Sequence, residues 1–308
     1  MNIKNKLISI LGEENVFENE PMKNHTTFKT GGAAQFLVTP KCGEEIFSLI
    51  TLLKNENIPY YIIGNGSNIL VSDRGLFGVV ILISQRMGDI TVSGNEIMAG
   101  AGALLSRIAA KAYASSLSGF EFASGIPGSL GGAAAMNAGA YGEEMSGVIK
   151  SITYIDPACG IKTIKNSDCG FSYRHTFFTD TDFVIVSAVI SLNHGDKAEI
   201  KAKTDDLRQR RTSKQPLSYP SAGSTFKRPE GHFAGALIEN ANLKGFKIGG
   251  AEVSEKHAGF IINKNNATST DIINLIKKVR ETVHEKSGVW LSPEVKLLGF
   301  DGESEIEK

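Results

Sequence analysis

Ser124-Gly125-Ile126-Pro127-Gly128-Ser129-Leu130-Gly131-Gly132 runs on through Ala133, Ala134, Ala135, Asn137, Gly139, Ala140 and Gly142. Glycine and alanine at this density strip the backbone of nearly all side chains. Main-chain N–H groups can then come close to a flat or phosphorylated ligand. The alternatives are a tight surface loop or a small-residue helix packed close to a neighbour.

Outward from this stretch, helical and strand periodicities alternate. Residues 44–57 carry Ile46, Phe47, Leu49, Ile50 and Leu53 at helical spacing, and 104–116 carry Leu104, Leu105, Ile108, Ala109 and Ala112. Short apolar runs predict strands at Tyr60 to Ile63 and Val79 to Ile83. Residues 90–99 predict a hairpin turning at Ser93-Gly94-Asn95, and further strands are expected at 148–155 and 183–192. A polar run at 193–206 predicts a boundary, followed by the basic residues Arg208, Arg210, Arg211 and Lys214. Beyond it, Ile272, Ile276, Val279 and Val283 predict a helix over 269–286, capped by Thr268 and Asp271 and ended by Gly288. Without a regular βαβ repeat, the pattern favours an α+β fold over a doubly wound sheet.

The 308 residues are 41% hydrophobic, enough for two or three units with true cores. Basic and acidic residues balance at 33 each, so no global field draws the chain to nucleic acid or an anionic membrane. The three cysteines, Cys42, Cys159 and Cys169, form no CxxC pair, and no histidine stands at metal-ligand spacing. No disulfide framework and no metal are expected. Leu7 to Leu11 is too short for a signal peptide and nothing approaches a membrane span, which points to the cytoplasm. No obligate protein partner is read from the sequence.

Gly64-Asn65-Gly66 follows a strand but is no dinucleotide fingerprint, because the third glycine of GxGxxG falls on Ile69 and no helix pattern starts there. The turn either holds a pyrophosphate with its backbone, Ser67 and Asn68, or is an Asn-Gly hairpin. Three further pieces lie far apart. Tyr173-Arg174-His175 offers a cation that either grips a carboxylate or rests on a ring at the surface. Ser224, in Ser221-Ala222-Gly223-Ser224-Thr225-Phe226-Lys227, has no nearby histidine; it is a poor nucleophile but a possible proton donor to an anionic centre, or it merely bonds the backbone. Glu294, in Ser292-Pro293-Glu294-Val295-Lys296, opens a short strand and is either solvated, a cap, or catalytic.

In this order, Gly64 to Asn68, Gly125 to Gly132 and Asn137-Ala138-Gly139-Ala140-Tyr141-Gly142 closely resemble the flavin-binding segments of the UDP-N-acetylenolpyruvoylglucosamine reductase (MurB) family. Tyr173-Arg174, Gly223 to Lys227, Leu243-Lys244-Gly245, Ile248 to Ala251 and Trp290 to Val295 continue the match over roughly residues 22 to 300. The resemblance implies a vanillyl-alcohol-oxidase-like (PCMH-type) FAD-binding fold in two subdomains, 1–83 and 84–204, with a C-terminal α+β substrate domain over 205–308. It implies a step of peptidoglycan precursor synthesis, in which NADPH reduces the flavin and the flavin reduces the enolpyruvyl ether of UDP-N-acetylglucosamine to UDP-N-acetylmuramate.

By the same resemblance, Arg174 and Glu294 stabilise the developing enolate and Ser224 gives the proton. Gly64, Asn65, Gly66, Ser67, Asn68, Gly125, Ile126, Gly128, Ser129, Gly131, Gly132, Asn137, Gly139 and Ala140 hold FAD. Tyr173, Arg211, Lys214, Lys227 and Lys244 face the substrate, while Arg208 and Arg210 read as a solvated helix end. No histidine stands in the Gly64–Asn68 turn, so FAD is expected to bind noncovalently. The short span between Arg174 and Arg211 lacks a tyrosine-bearing loop, as in the family's shorter subclass. The rivals are an oxygen-using oxidase of the same fold and a nucleotide-sugar-binding protein without the reaction. The set of Arg174, Ser224 and Glu294 argues against both.

Overall fold

The structure is a computed structural model and describes residues 2–179 and 181–300. The chain forms two compact units, one of Met1–Glu18, Phe36–Asn65 and Gly78–Arg211, the other of Asn19–Gln35, Gly66–Phe77 and Thr212–Lys308. The expected three-part division at 83/84 and 204/205 groups the residues differently. Its outermost residues, 1 and 301–308, lie outside those described.

In the first unit, the expected helix at 44–57 is Gly43–Asn55, with Ile46, Leu49, Ile50 and Leu53 buried. Strand Tyr60–Ile63 pairs in parallel with the later strand Leu76–Leu82, Tyr60 opposite Val79. An antiparallel sheet follows in the order Gly160–Lys165, Ile149–Asp156, Val184–Ser191, Glu96–Gly100, Ile90–Ser93. Its hairpin closes with Ser93 opposite Glu96, and Gly94 adopts the positive φ of 60° that the turn requires. Helix Leu105–Ala114 and the short helix Leu130–Ala135 pack into the same core, with Ile97, Ile108, Leu130 and Ile190 fully buried.

The polar stretch expected as a boundary is instead the beginning of an 18-residue helix, Lys197–Lys214. Only Ile200 and Leu207 are buried along it, so no apolar stripe betrays it. Local polar contacts support it. Asp196 Oδ1 accepts from the N–H groups of Ala198 and Glu199 at 2.8 and 3.1 Å, and Arg210 pairs with Asp206 one turn back at 2.9 Å. Arg210 is thus on a solvated face, as its sequence context predicts.

In the second unit, Lys247–Ile248, Ala251–Val253 and Ile261–Asn263 form an antiparallel sheet covered by Ser269–Ser287. That helix has the expected Thr268–Asp271 capping box and ends at Gly288 with φ 73°. Asp73 reinforces its start, accepting from the N–H groups of Ser269 and Thr270, each at 2.8 Å. The helix buries Ile272, Ile276, Val279 and Val283 completely, and each contributes up to about 1.5–3 kcal/mol. Ile69–Val71 runs parallel to Lys296–Leu298, with Ile69 opposite Lys296. Ile69 therefore begins a strand, which removes any dinucleotide-type helix after Gly64-Asn65-Gly66.

Candidate active site

The first unit places two of the expected flavin segments against each other. Strand Tyr60–Ile63 ends at Gly64-Asn65, and Asn65 Nδ2 donates to the Pro127 carbonyl at 2.7 Å. Gly64 leaves room here for Ser129 Oγ, which would stand 2.5 Å from a Cβ on it and would have to shift. That hydroxyl is buried and has no hydrogen-bond partner among the described residues. Leu105 N and Leu130 N bond to the carbonyls of Gly128 and Ala103 at 3.1 and 2.8 Å, and Gly131 N bonds to Ala101 O at 2.8 Å. These bonds fix the backbone around Ser129. An orphan hydroxyl costs about 1–3 kcal/mol when nothing satisfies it. A side-chain-free strand end facing it fits a ligand with polar oxygens, and so fits FAD.

The other flavin candidates divide. Gly125 and Gly132 are exposed and Ile126 packs partly on the core. Gly139 and Ala140 pair with Glu144 and Glu143 in a small hairpin. Asn137 is 1% exposed and spends its side chain inward. Its Nδ2 donates to Glu144 Oε2 at 2.8 Å and to Ser172 O at 3.0 Å, while its Oδ1 accepts from Ser146 N at 2.9 Å.

Arg174 also belongs to the first unit. It occupies a turn closed by two bonds, Ser172 N to His175 O at 3.0 Å and His175 N to Ser172 O at 3.2 Å. Its guanidinium carbon lies 4.9 Å from the centre of the exposed Tyr173 ring. Arg211, in the last turn of helix Lys197–Lys214, sets its stem against Gly125, 3.1 Å from where a Cβ would stand. Burial presses its pKa downward while Tyr141 opposes the shift. Tyr141 Oη donates to Leu207 O at 3.0 Å, tying the glycine-rich stretch to the same helix.

In the second unit, Gly66 holds φ 62° with the His25 carbonyl 1.9 Å from a would-be Cβ, so no other residue fits without displacing backbone. Ser67 is half-buried in the same turn. Asn68 Nδ2 donates to Glu294 O at 3.1 Å, and Lys296 N donates to Asn68 O at 3.0 Å. Glu294 N donates to Thr225 O at 2.8 Å, and Lys227 N donates to Ser292 O at 2.8 Å. Ser224 and Glu294, 70 residues apart in sequence, are thereby held on adjoining extended segments. The strand expected at Glu294 starts instead at Lys296, because the chain changes partner at Val295, from the Thr225 segment to Ile69–Val71.

Of the expected substrate lysines, Lys227 and Lys214 are exposed, and Lys244 pairs with Glu239 at 3.0 Å. Lys214 and Lys244 both act on His257, a residue unmarked by any sequence motif. Burial chiefly pushes the His257 pKa below the ordinary histidine value; a backbone hydrogen bond and Glu239 oppose the shift, and Lys244 and Lys214 add to it. Its Nδ1 accepts from Gly259 N at 3.1 Å. Arg174 sits in one unit and the Ser224–Glu294 pair in the other.

The cysteines take no part in these clusters. Cys159 is exposed, Cys42 precedes helix Gly43–Asn55, and burial raises the Cys169 thiol to about 11. No helix among the described residues is long and apolar enough to cross a membrane.

Comparison with known proteins identifies the fold and the family. Residues 34–162 match an FAD binding domain, and residues 215–298 match the C-terminal domain of UDP-N-acetylenolpyruvoylglucosamine reductase. A reductase of that name from Caldanaerobacter subterraneus subsp. tengcongensis is 52% identical over 294 residues, covering 96% of this chain and 97% of that protein. One from Clostridium novyi is 48% identical over 304 residues, covering 99% of each. The crystal structure of MurB from Thermus caldophilus superposes with a TM-score of 0.78 at 30% identity, over 92% of this chain and 98% of that one. The fold is the PCMH-type FAD-binding architecture with a C-terminal domain, as the resemblance implies. The chain belongs to the UDP-N-acetylenolpyruvoylglucosamine reductase family and is an FAD-dependent oxidoreductase.

Proposed function

We propose that this protein reduces the enolpyruvyl ether of UDP-N-acetylglucosamine to UDP-N-acetylmuramate, with NADPH as the electron donor. The observation that carries this reading is the bond from Glu294 N to Thr225 O, which seats an acid beside the segment of Ser224. Noncovalent FAD, held by Gly64 to Asn68, Gly125 to Gly132 and the Gly139-Ala140 hairpin, would supply the two-electron carrier between donor and substrate.

Reduction of the enolpyruvyl double bond adds a hydride equivalent at the methylene carbon and leaves the alkene's electron pair alpha to the carboxylate, spread as an enolate. Arg174 offsets that charge through its guanidinium fork. Glu294 acts as a hydrogen-bonding or protonated group, because a bare carboxylate would oppose an enolate. Ser224 gives its hydroxyl proton to the alpha carbon; the C–H bond forms and the resulting alkoxide is reprotonated by solvent. Serine is a weak acid and donates only to a strongly basic centre, which this step creates.

Tyr173, Arg211, Lys214, Lys227 and Lys244 orient the carboxylate and diphosphate of the substrate. Residues 1–204 serve the flavin and 205–308 the substrate in this reading, and the reaction belongs in the cytoplasm.

The test is the visible spectrum of the purified protein, followed anaerobically through addition of NADPH and then of UDP-N-acetylglucosamine enolpyruvate. Flavin bands that bleach with NADPH and return with the enolpyruvyl compound are expected. A protein that takes up no FAD overturns the reading. Bands that return only with oxygen move the function to an oxidase.

A further inference from the structure

We propose that Thr176, a residue outside every motif, positions Arg174 for the reaction; this rests on the reading of Arg174 just given. Arg174 lies in neither helix nor strand, and its φ of 55° is left-handed, a conformation unfavourable for a non-glycine residue. The two bonds between Ser172 and His175 shape the turn but do not anchor it to anything else. Side chains on each side of Arg174 do, and Phe177 N adds a bond to Cys169 O at 2.8 Å. Before it, Asn137 Nδ2 donates to Ser172 O at 3.0 Å. After it, Thr176 Oγ1 donates to Ala135 O at 2.6 Å.

Ala135 is the last residue of helix Leu130–Ala135, so its carbonyl has no intrahelical partner and takes the threonine hydroxyl instead. Thr176 is 0% exposed. Its hydroxyl also accepts from Phe178 N at 3.2 Å, and its own N–H donates to Thr179 Oγ1 at 2.9 Å. Thr179 donates to the same Ala135 carbonyl, but at the longer 3.2 Å. Both side-chain anchors therefore come from Ala135 and Asn137, at the end of the helix that Ser129 begins. The position of the Arg174 turn is inherited from the backbone that carries the orphan Ser129 hydroxyl. Thr176 touches no reacting atom; its role is to place one that does.

Thr176→Val keeps the shape and deletes the hydroxyl, and Thr176→Ser restores the hydroxyl alone. In Thr176→Val, flavin reduction by NADPH should stay within about threefold of wild type, while reoxidation by the enolpyruvyl compound falls at least about tenfold. Thr176→Ser should recover most of that loss. In an Arg174→Ala background, Thr176→Val should cost less than about twofold further, because the group it positions is gone. Hydrogen exchange of the purified protein should show faster exchange across residues 172–178 in the valine variant and not in the serine variant.

Equal losses in both half-reactions, full additivity with Arg174→Ala, or no difference between valine and serine would overturn the proposal. Thr176→Ala repeats the test without forcing a methyl group into the hydroxyl's place. If neither variant folds by circular dichroism, the bond serves the fold and not Arg174, and the proposal also fails. Wild-type protein that is not reoxidised by the enolpyruvyl compound would instead sink the functional reading, before any variant is made.

Discussion

The side-chain amide of Asn68 donates to the main-chain carbonyl of Glu294 at 3.1 Å, and the Asn68 carbonyl accepts from Lys296 two residues further on. A residue expected to hold flavin thus grips the backbone of the expected catalytic acid. Asn68→Ala should lower substrate-driven flavin reoxidation by roughly 10- to 100-fold, since misplacing a reacting group by about an ångström has that effect. Stability should fall by only about 1 kcal/mol, the net worth of one hydrogen bond. Stopped-flow traces of the two half-reactions, beside a urea titration, separate the two effects.

Ser224→Ala should leave flavin reduction by NADPH nearly unchanged and depress turnover by roughly 10²–10⁴-fold, the usual share of a positioned proton donor. Ser224 is exposed at the end of its segment, so the fold should not register the change. Comparable losses in both half-reactions would remove it from the role of donor.

Gly64→Ala would set a Cβ 2.5 Å from Ser129 Oγ, closer than van der Waals contact allows. The variant should purify with much less flavin, read as the ratio of visible to protein absorbance. Gly142→Ala has open space around its Cβ but a φ of 88°, so it should strain the hairpin without filling the cradle. Equal flavin content in wild type and Gly64→Ala would show that the Gly64–Ser129 face is not where flavin binds.

His257 has a folded pKa below its unfolded value of about 6.5, chiefly because it is buried. The unfolded chain therefore binds the extra proton first as pH falls. The stability held at neutral pH should decline through the window below about 6.5 and level off beneath the folded pKa. Urea midpoints measured across that window should fall in wild type and fall less in His257→Asn. Parallel curves would assign the acid sensitivity to other groups.

Much of the fold is legible in the sequence because apolar periodicity reports burial. Gly43–Asn55, Leu105–Ala114 and Ser269–Ser287 each bury one face, and their spacing shows it. Lys197–Lys214 buries two residues in eighteen and is held by capping and charge pairs, so its sequence looks like a linker. The expected site residues are named by their motifs. The Thr176 anchor is not: it belongs to no pattern and acts through the carbonyl of Ala135, 41 residues away.

The sequence by itself determined the glycine-rich stretch, the ordered motifs with Arg174, Ser224 and Glu294, and the helices with a buried stripe. Those are local properties, written in spacing and side-chain type. Only the tertiary structure decided that Asn137 turns inward to the Arg174 turn, that Asn68 holds Glu294, and that Ser129 is left unpaired beside Gly64. A polar side chain in a turn has several possible partners, and the choice among them is made when distant backbone carbonyls and N–H groups are buried beside it and must be satisfied.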